Sequence, residues 1–486
     1  MQMRLLPLAL GLLLAWAARA QTLAPEVEQA LQAARVPRDA LSVSIAELGS
    51  GSTRLALNET RPVNPASLAK LLTTFAALDQ LGPAFTWKTP VWLAGKLGPG
   101  AQGGVLEGNV HIQGRGDPKL TLERVWLLVQ RLRAMGVAEI RGDIVLDQTA
   151  FEVPETSLAE FDGEPLRPYN VRARALLLNL HAVIYTFTPD AAAGVARISA
   201  EPALQGVQVD ASVPLASSPC NDWRAGLKAT PGDSERMRFS GSYPAACGER
   251  AWPLAYPEPK LYAARLLGAL WRDSGGRITG SVREGPAPEG VKPSFELVSP
   301  ALSEVVRDIN KYSNNAMAQQ LLLTLALQQP GVTKATPQAG RDVLRQWLQQ
   351  RLGESLEGVV IDNGSGLSRE TRVSAALLAR ALQAAWASPV MPELMASLPV
   401  NGLDGTLRKA HSSAGMAHLK TGSLRDVAGV AGFVLGSSGR RYALVAIVNH
   451  PNANAAKPAL DALIQWTIDD GERMKRPAAP TRRNSP

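Results

Sequence analysis

Short runs of alternating apolar and polar residues dominate the middle of the chain, from about Trp92 to Leu297. Such alternation is typical of strands that bury one face, and clusters of Gly, Pro and Asp separate the runs as turns do. Helical periodicity in this stretch is confined to Leu122 to Met135 and Lys260 to Asp273. The pattern therefore predicts a mainly β region. Its clearest predicted strands are Val105 to Gln113, Ile140 to Asp147, Val195 to Ala200, Val207 to Val213 and Ile278 to Val282.

The residues on either side of this region have a different pattern, in which apolar hairpins are accompanied by amphipathic helices. The predicted hairpins are Leu41 to Leu48 with Thr53 to Leu57, and Val427 to Leu435 with Arg441 to Val448. The predicted helices are Val27 to Ala34 and Pro458 to Ile468. We expect these flanks to fold together as an antiparallel sheet covered by helices, which makes the fold class α+β.

A serine and a lysine three residues apart, Ser67 and Lys70, stand where another helix is predicted to begin. The apolar segment Leu71 to Leu78 follows them, and Gly82-Pro83 ends it. This spacing places both side chains on one helix face, so the lysine amine can reach the serine oxygen. The first-turn amides lack intrahelical partners and can stabilise negative charge. The sequence predicts Ser67 as a nucleophile, with its own N–H as an oxyanion donor and Lys70 as its base.

A second polar string, Ser313-Asn314-Asn315, lies between two apolar-patterned segments, Leu302 to Ile309 and Met317 to Leu325. It is predicted to be an interhelical loop that points into a cleft. There Ser313 would relay a proton from the nucleophile to a leaving amine, and Asn315 would hold a substrate amide.

A third string, Lys420-Thr421-Gly422-Ser423, precedes the second predicted hairpin and is expected on a strand at the sheet edge. Lysine and threonine would offer a cation and a hydroxyl to a substrate carboxylate. Glycine at Gly422 would let the backbone of a ligand approach closely.

In this order the three strings resemble the active-site signature of the penicillin-interacting serine enzymes. The chain as a whole resembles one family of them, the class C low-molecular-mass penicillin-binding proteins, which are D-alanyl-D-alanine carboxypeptidases and endopeptidases (peptidase S13 family). The resemblance covers nearly the whole chain after its first 20 residues. Further blocks that carry it are Gly116 to Thr121, Ser299 to Asn315, Asp362 to Arg369 and Leu398 to Leu407.

The resemblance implies a transpeptidase/β-lactamase-like catalytic domain built from residues 21–91 and 298–472 and interrupted by an inserted β-rich part, residues 92–297. It implies an acyl-enzyme on Ser67, formed with peptidoglycan stem peptides, with their cross-links, or with β-lactam antibiotics. It makes the amide of Ser423 the second oxyanion donor. It also directs attention to Asp162 or Glu164 as an acid that reads a substrate amino group, although two solvated loop acids explain them equally well.

Two other functions fit parts of this pattern. A β-lactamase would use the same three strings, but the long insertion argues against it. A non-catalytic wall-binding or sensor protein could keep the fold, but the complete set of reactive groups argues against that. The sequence does not separate carboxypeptidase from endopeptidase, because both scissile bonds leave a free α-carboxylate on the leaving residue.

The first residues of the chain predict export, and the last ones predict a disordered tail. Met1 to Ala20 combine Arg4, an uncharged run and a small-residue end, which is typical of a secretory signal cleaved near Ala20, so we expect a periplasmic protein. Residues 473–486 are basic and Pro-rich and are predicted to be a disordered tail. In an oxidising compartment the two cysteines, Cys220 and Cys247, are expected to form a disulfide.

The net charge and the few metal-ligating residues argue against a nucleic-acid-binding protein and against a metal-dependent one. Subtracting Arg4 and Arg19 from the formal charge of +8 leaves +6, and no dense basic stripe with aromatics indicates a nucleic-acid partner. This mild excess would give at most weak association with membranes or wall polymers. Five scattered histidines and two cysteines predict no metal site and no cofactor.

Overall fold

The computed structural model describes residues 23–232, 235–353 and 356–471. The predicted signal and the predicted tail lie outside these residues. Within them the α-helices are α1 Pro25–Ala33, α2 Lys70–Leu81, α3 Leu122–Ala134, α4 Pro259–Asp273, α5 Leu302–Lys311, α6 Asn315–Leu327, α7 Pro337–Leu352, α8 Ala375–Trp386, α9 Met391–Ser397 and α10 Lys457–Ile468.

The same residues form strands that belong to four sheets. They are β1 Leu41–Glu47, β2 Thr53–Leu57, β3 Lys88–Gly98, β4 Gly104–Gln113, β5 Val137–Arg141, β6 Ile144–Asp147, β7 Ala182–Asp190, β8 Val195–Glu201, β9 Gln208–Val209, β10 Ser212–Ala216, β11 Leu227–Pro231, β12 Arg236–Gly241, β13 Tyr243–Pro244, β14 Arg250–Ala255, β15 Arg277–Ile278, β16 Val282–Glu284, β17 Phe295–Val298, β18 Ala417–Leu424, β19 Val427–Leu435 and β20 Arg441–Asn449.

The two ends of the chain build one antiparallel sheet, in the order β18-β19-β20-β1-β2. Helices cover both of its faces, with α8 and α2 on one side and α10 and α1 on the other. Alternate residues of β19 therefore enter different cores: Ala431 and Phe433 face the α2 and α8 side, and Val430 and Val434 face α10. Because both faces are buried, the strand is almost continuously apolar. The predicted α+β organisation of the flanks is confirmed.

The other three sheets come from the middle of the chain, as the alternating pattern predicts. One has the order β15-β5-β4-β3-β17, with β6 pairing with both β4 and β16. The second is β13-β10-β8-β7-β14, and the third is β11-β12-β9. The paired strands β3 and β17 cross the predicted domain limits at residues 91/92 and 297/298. The domain limits stay predictions.

Three predicted single strands are wrong, because each is broken into two. Ile140 to Asp147 forms β5 and β6, which lie end to end along the longer β4. Ile278 to Val282 divides in the same way, since β15 pairs with β5 and β16 with β6. Val207 to Val213 divides between two sheets, with β9 on β12 and β10 on β8. Between them the Asp210 carboxylate accepts the amide of Phe239, at 2.9 Å.

Cys220 and Cys247 are joined by a disulfide within the inserted region, with their Cα atoms 4.9 Å apart. No helix within residues 23–232, 235–353 and 356–471 has the length and apolar character that crossing a bilayer requires.

Candidate active site

Ser67 lies in a tight 3₁₀ turn, Ala66–Ala69, that leads directly into α2. The turn is entered through Ala66, whose φ of 48° is unusual for a residue with a side chain. The Asn64 side chain stabilises this entry by accepting the amide of Ala66 at 2.9 Å. Asn64 is itself fixed to Asn449 at the end of β20 by two reciprocal 2.9 Å hydrogen bonds. The central sheet thus positions the predicted nucleophile.

Lys70 begins α2 and is fully buried. Its Nζ lies 3.0 Å from Ser67 Oγ, 2.6 Å from Asn315 Oδ1 and 2.5 Å from the Ser365 carbonyl oxygen. Both of the latter atoms can only accept. A neutral amine has two hydrogens and one lone pair. If the hydrogens go to Asn315 and Ser365, the lone pair remains for the Ser67 hydroxyl, which is the arrangement that a general base requires.

The electrostatics favour this neutral form. Burial, and in second place the charge of Lys420, hold the pKa of Lys70 well below its usual range. Burial also lowers the pKa of Lys420 to about 7. Neither lysine forms an ion pair with a carboxylate within the described part of the chain. The positive charge on Lys420 thus opposes protonation of Lys70, and the two amines are electrostatically coupled.

The second and third strings meet at these lysines. Lys420, on β18, donates to Ser313 Oγ at 2.9 Å and to the Thr421 carbonyl at 2.7 Å. Ser313 lies between α5 and α6 in the left-handed region, with φ 57°. The prediction that all three residues of the second string form a loop is wrong at Asn315. It is the first residue of α6, because Asn314 caps that helix by accepting the amide of Met317 at 3.0 Å.

Two glycines allow the backbone around Ser67 to pack closely. A Cβ at Gly422 would lie 2.6 Å from the Pro65 carbonyl oxygen. A Cβ at Gly366 would lie only 1.8 Å from the Ala66 carbonyl oxygen, and Gly366 also has a φ of 74°. Only glycine fits there without displacement of the turn that carries Ser67.

Two open chambers lie beside Ser67, and Ser67, Ser313 and Ser423 line both of them. The first, of about 620 Å³, is named here the Asp162 chamber. Its further lining residues include Phe161, Asp162, Tyr169, Asn315, Arg369 and Arg425. The second, of about 390 Å³, is named the Lys457 chamber. Its further lining residues include Thr406, Lys409, Thr421, Lys457, Leu460 and Asp461.

The structure places Asp162 and Glu164, the two acids between which the sequence does not choose, in different surroundings. Asp162 lines the chamber and accepts from Tyr169 Oη at 2.8 Å and from Asn170 at 2.8 Å. Burial and then Asp162 raise the pKa of Tyr169 to about 12. Glu164 instead pairs with Arg167 at 3.5 Å on an exposed surface.

Sequence reasoning missed several groups of the site. Two of these groups are main-chain carbonyls, those of Ser365 and Tyr169, and the Tyr169 carbonyl accepts a hydrogen bond from Asn315 at 3.0 Å. Every residue has such a carbonyl, so the residue type does not indicate which one takes part in the site. The Thr406 hydroxyl lies 2.7 Å from the Thr421 hydroxyl. Ser365 lies in the block Asp362 to Arg369 and Thr406 in the block Leu398 to Leu407, and both blocks carry part of the family resemblance. The resemblance was therefore the available sequence signal for these two groups.

A family model described as the D-Ala-D-Ala carboxypeptidase 3 (S13) family matches residues 23–469. The chain belongs to this family. It is a serine hydrolase of that family, as the sequence predicts. It is 27% identical to a D-alanyl-D-alanine carboxypeptidase of Actinomadura sp. over 94% of this chain and 88% of the relative. It is 26% identical to the D-alanyl-D-alanine carboxypeptidase DacB of Haemophilus influenzae over 79% of this chain and 80% of the relative.

Solved structures agree with the predicted fold. The crystal structure of penicillin-binding protein 4 of Haemophilus influenzae matches with a TM-score of 0.71 at 23% identity, over 90% of this chain and 99% of that one. A predatory endopeptidase of Bdellovibrio bacteriovorus, solved in complex with an immunity protein, matches with a TM-score of 0.54 at 15% identity, over 88% of this chain and 93% of that one. The S13 protein therefore has the predicted transpeptidase/β-lactamase-like fold with its large insertion.

Proposed function

We propose that this S13 protein removes the terminal D-alanine from peptidoglycan stem peptides, and cuts the adjoining cross-link, through an acyl-enzyme on Ser67. The observation that carries the proposal is the set of contacts at Lys70 Nζ. Two carbonyl acceptors and a serine oxygen surround a buried amine with a lowered pKa. Such an amine can take the serine proton without a histidine.

In the acylation step, Ser67 Oγ attacks the carbonyl carbon of the penultimate D-alanine, and Lys70 accepts the hydroxyl proton. The C–N bond then breaks, and the proton that Lys70 took from Ser67 passes through Ser313 Oγ to the leaving amine. The 2.9 Å contact between Ser313 and Lys420 supports this relay. The amides of Ser67 and Ser423 would stabilise the oxyanion, since both residues line the cleft in which the carbonyl would lie. Water later hydrolyses the ester.

The two chambers would hold different parts of the substrate. Asn315, the proposed partner of the substrate amide, lines only the Asp162 chamber, whereas Thr421, the proposed partner of the leaving carboxylate, lines only the Lys457 chamber. The acyl part would therefore occupy the Asp162 chamber, and the leaving residue the Lys457 chamber. Asp162 would then bind an amino group on the side chain of the stem peptide.

A β-lactam would acylate the same serine, because its strained amide and its carboxylate correspond to the scissile amide and the carboxylate that the cleft would bind in the peptide. A structure of penicillin-binding protein 4 of Haemophilus influenzae in complex with a β-lactam supports this step. We also place the protein in the periplasm, after cleavage of the signal near Ala20. The disulfide between Cys220 and Cys247 supports an oxidising compartment.

Intact-mass measurement after benzylpenicillin treatment tests the nucleophile. The wild-type protein should gain one adduct and should release D-alanine from a pentapeptide stem. Ser67→Ala should do neither, while Ser50→Ala, in an exposed turn, should behave as the wild type does. An adduct that persists on Ser67→Ala would overturn the assignment.

A further inference from the structure

The Lys457 chamber is larger and more basic than a single leaving D-alanine requires. Its volume of about 390 Å³ lies within the range of pockets that hold drug-sized ligands, about 300–1,000 Å³. The α-carboxylate of the leaving residue already has proposed partners in Lys420 and Thr421. The space and the charge beyond these two residues are therefore unused when the leaving group is one alanine.

Two lysines supply the unused charge. Lys409, just after the turn that carries Thr406, and Lys457, at the start of α10, both line the chamber and are exposed. Within the described residues neither forms an ion pair or a side-chain hydrogen bond. The chamber holds one acid, Asp461, and its carboxylate accepts the backbone amide of His411. Two free cations against one occupied carboxylate leave the chamber positive.

The wall also fits a chain that continues past the first leaving residue. Leu460, on the first turns of α10, is buried and contributes an apolar side to the chamber between β19 and the helix. A positive, partly apolar and open groove is suited to a peptide with several carboxylates.

Resting on the proposed function, we infer that Lys409 and Lys457 form a binding site for an anionic peptide leaving group, so that cross-linked stem peptides are preferred over single stems. In a cross-linked dimer the leaving half is a second stem peptide, which carries carboxylates beyond the one on the leaving residue. These additional carboxylates are the ligands of the two lysines.

The test compares two substrates that share the same acyl half. One is a pentapeptide stem that loses D-alanine, and the other is a cross-linked dimer that loses a second stem peptide. The measured quantity is the ratio of kcat/KM for the dimer to kcat/KM for the pentapeptide. In the double variant Lys409→Met/Lys457→Met this ratio should fall about 2- to 30-fold, since each exposed ion pair contributes little by itself. Methionine keeps the length of the apolar stem, so the loss reports charge.

A matched control and a salt series complete the experiment. Lys96→Met removes an exposed lysine on β3, outside both chambers, and should leave the ratio unchanged. Raising the ionic strength should lower the ratio in the wild-type protein and have a smaller effect on the double variant. Lys457→Glu, which reverses a charge, should lower the ratio further than Lys457→Met.

The outcomes separate this inference from the proposed function. An unchanged ratio in the double variant, with both substrates cleaved, would overturn the inference and leave the acyl-enzyme proposal standing. An equal loss for both substrates would also overturn it, because the lysines would then act on a step that the two reactions share. A wild-type protein that cleaves neither substrate and gains no penicillin adduct would overturn the proposed function itself.

Discussion

The lowered pKa of Lys420 predicts a specific pH dependence. Below pH 7 the buried amine is charged and can bind the carboxylate of the leaving D-alanine, and above pH 7 it loses this charge, because burial holds its pKa at about 7. A charge-assisted hydrogen bond contributes roughly 1.5–3 kcal/mol, which corresponds to about ten- to a hundredfold in kcat/KM. For a substrate with a free carboxylate, kcat/KM should therefore fall by this factor on the alkaline side of neutrality.

The assay measures kcat/KM from acid to alkaline pH for a D-Ala-D-Ala peptide and for the same peptide with a C-terminal amide. The alkaline decrease should appear with the acid and not with the amide. Lys420→Met should abolish the decrease and should also abolish the discrimination between the two peptides. Because kcat/KM reports the free enzyme, the decrease should move to higher pH in kcat, where the bound carboxylate stabilises the charged amine.

Two results would refute this reasoning. A decrease that persists in Lys420→Met would assign the titration to another group. Equal alkaline decreases for acid and amide would mean that the titration does not act through the substrate carboxylate. Lys70 would not explain such a decrease, because a general base gains activity as it loses its proton. The two lysines are coupled, so the acid limb and the alkaline limb of the profile belong to the pair.

Two further predictions concern the supporting structure. Gly366→Ala should lower the free energy of unfolding by about 1–3 kcal/mol and slow penicillin acylation by up to ~100-fold, because the new Cβ would displace Ala66 beside the proposed nucleophile Ser67. In urea unfolding and acylation assays, Gly331→Ala, at φ 77° with open space around it, should show only the cost of backbone strain, and equal effects of the two changes would contradict the clash. Replacing Cys220 and Cys247 by serine should cost about 3.5 kcal/mol of stability, by the loop entropy of a separation of 27 residues, with little change in acylation rate. Urea unfolding with and without reductant checks this, and a serine variant as stable as the oxidised protein would count against it.

The central sheet could be predicted nearly to the residue, because its apolar pattern has one physical cause. Val427 to Val434 and Tyr442 to Val448 are buried on both faces, and the Gly436 to Gly439 turn leaves little freedom in their pairing. In the inserted region the signal is weaker. Ile140 to Asp147 is an unbroken pattern in sequence, yet it divides because the partner strand β4 is long enough to pair with two strands in succession.

The candidate site was predictable where its geometry is local. Ser67 and Lys70 are brought together by one helical turn, so their spacing alone indicates their contact. The Ser365 carbonyl, 295 positions from Lys70 in sequence, accepts a hydrogen bond from the Lys70 amine through a main-chain oxygen. Such an oxygen is present at every residue, and only the fold selects one of them.

The same burial that makes the site reactive makes it costly for the fold. A lysine whose pKa falls from 10.5 to about 7 on folding binds a proton more tightly in the unfolded chain, so folding is penalised fully below pH 7 and the penalty is relieved as pH rises toward 10.5. For Lys420 the full penalty is on the order of 5 kcal/mol, at about 1.4 kcal/mol per pKa unit. Lys70 adds a penalty of the same sign. The surrounding structure must offset these terms, and it has the means to do so: α2 and α6 are packed into one apolar core, and Asn64 and Asn449 fasten the reactive turn to the sheet. A nucleophile that relies on a neutral lysine requires a rigid and well-packed support, because only a buried amine stays neutral at the pH at which the reaction occurs.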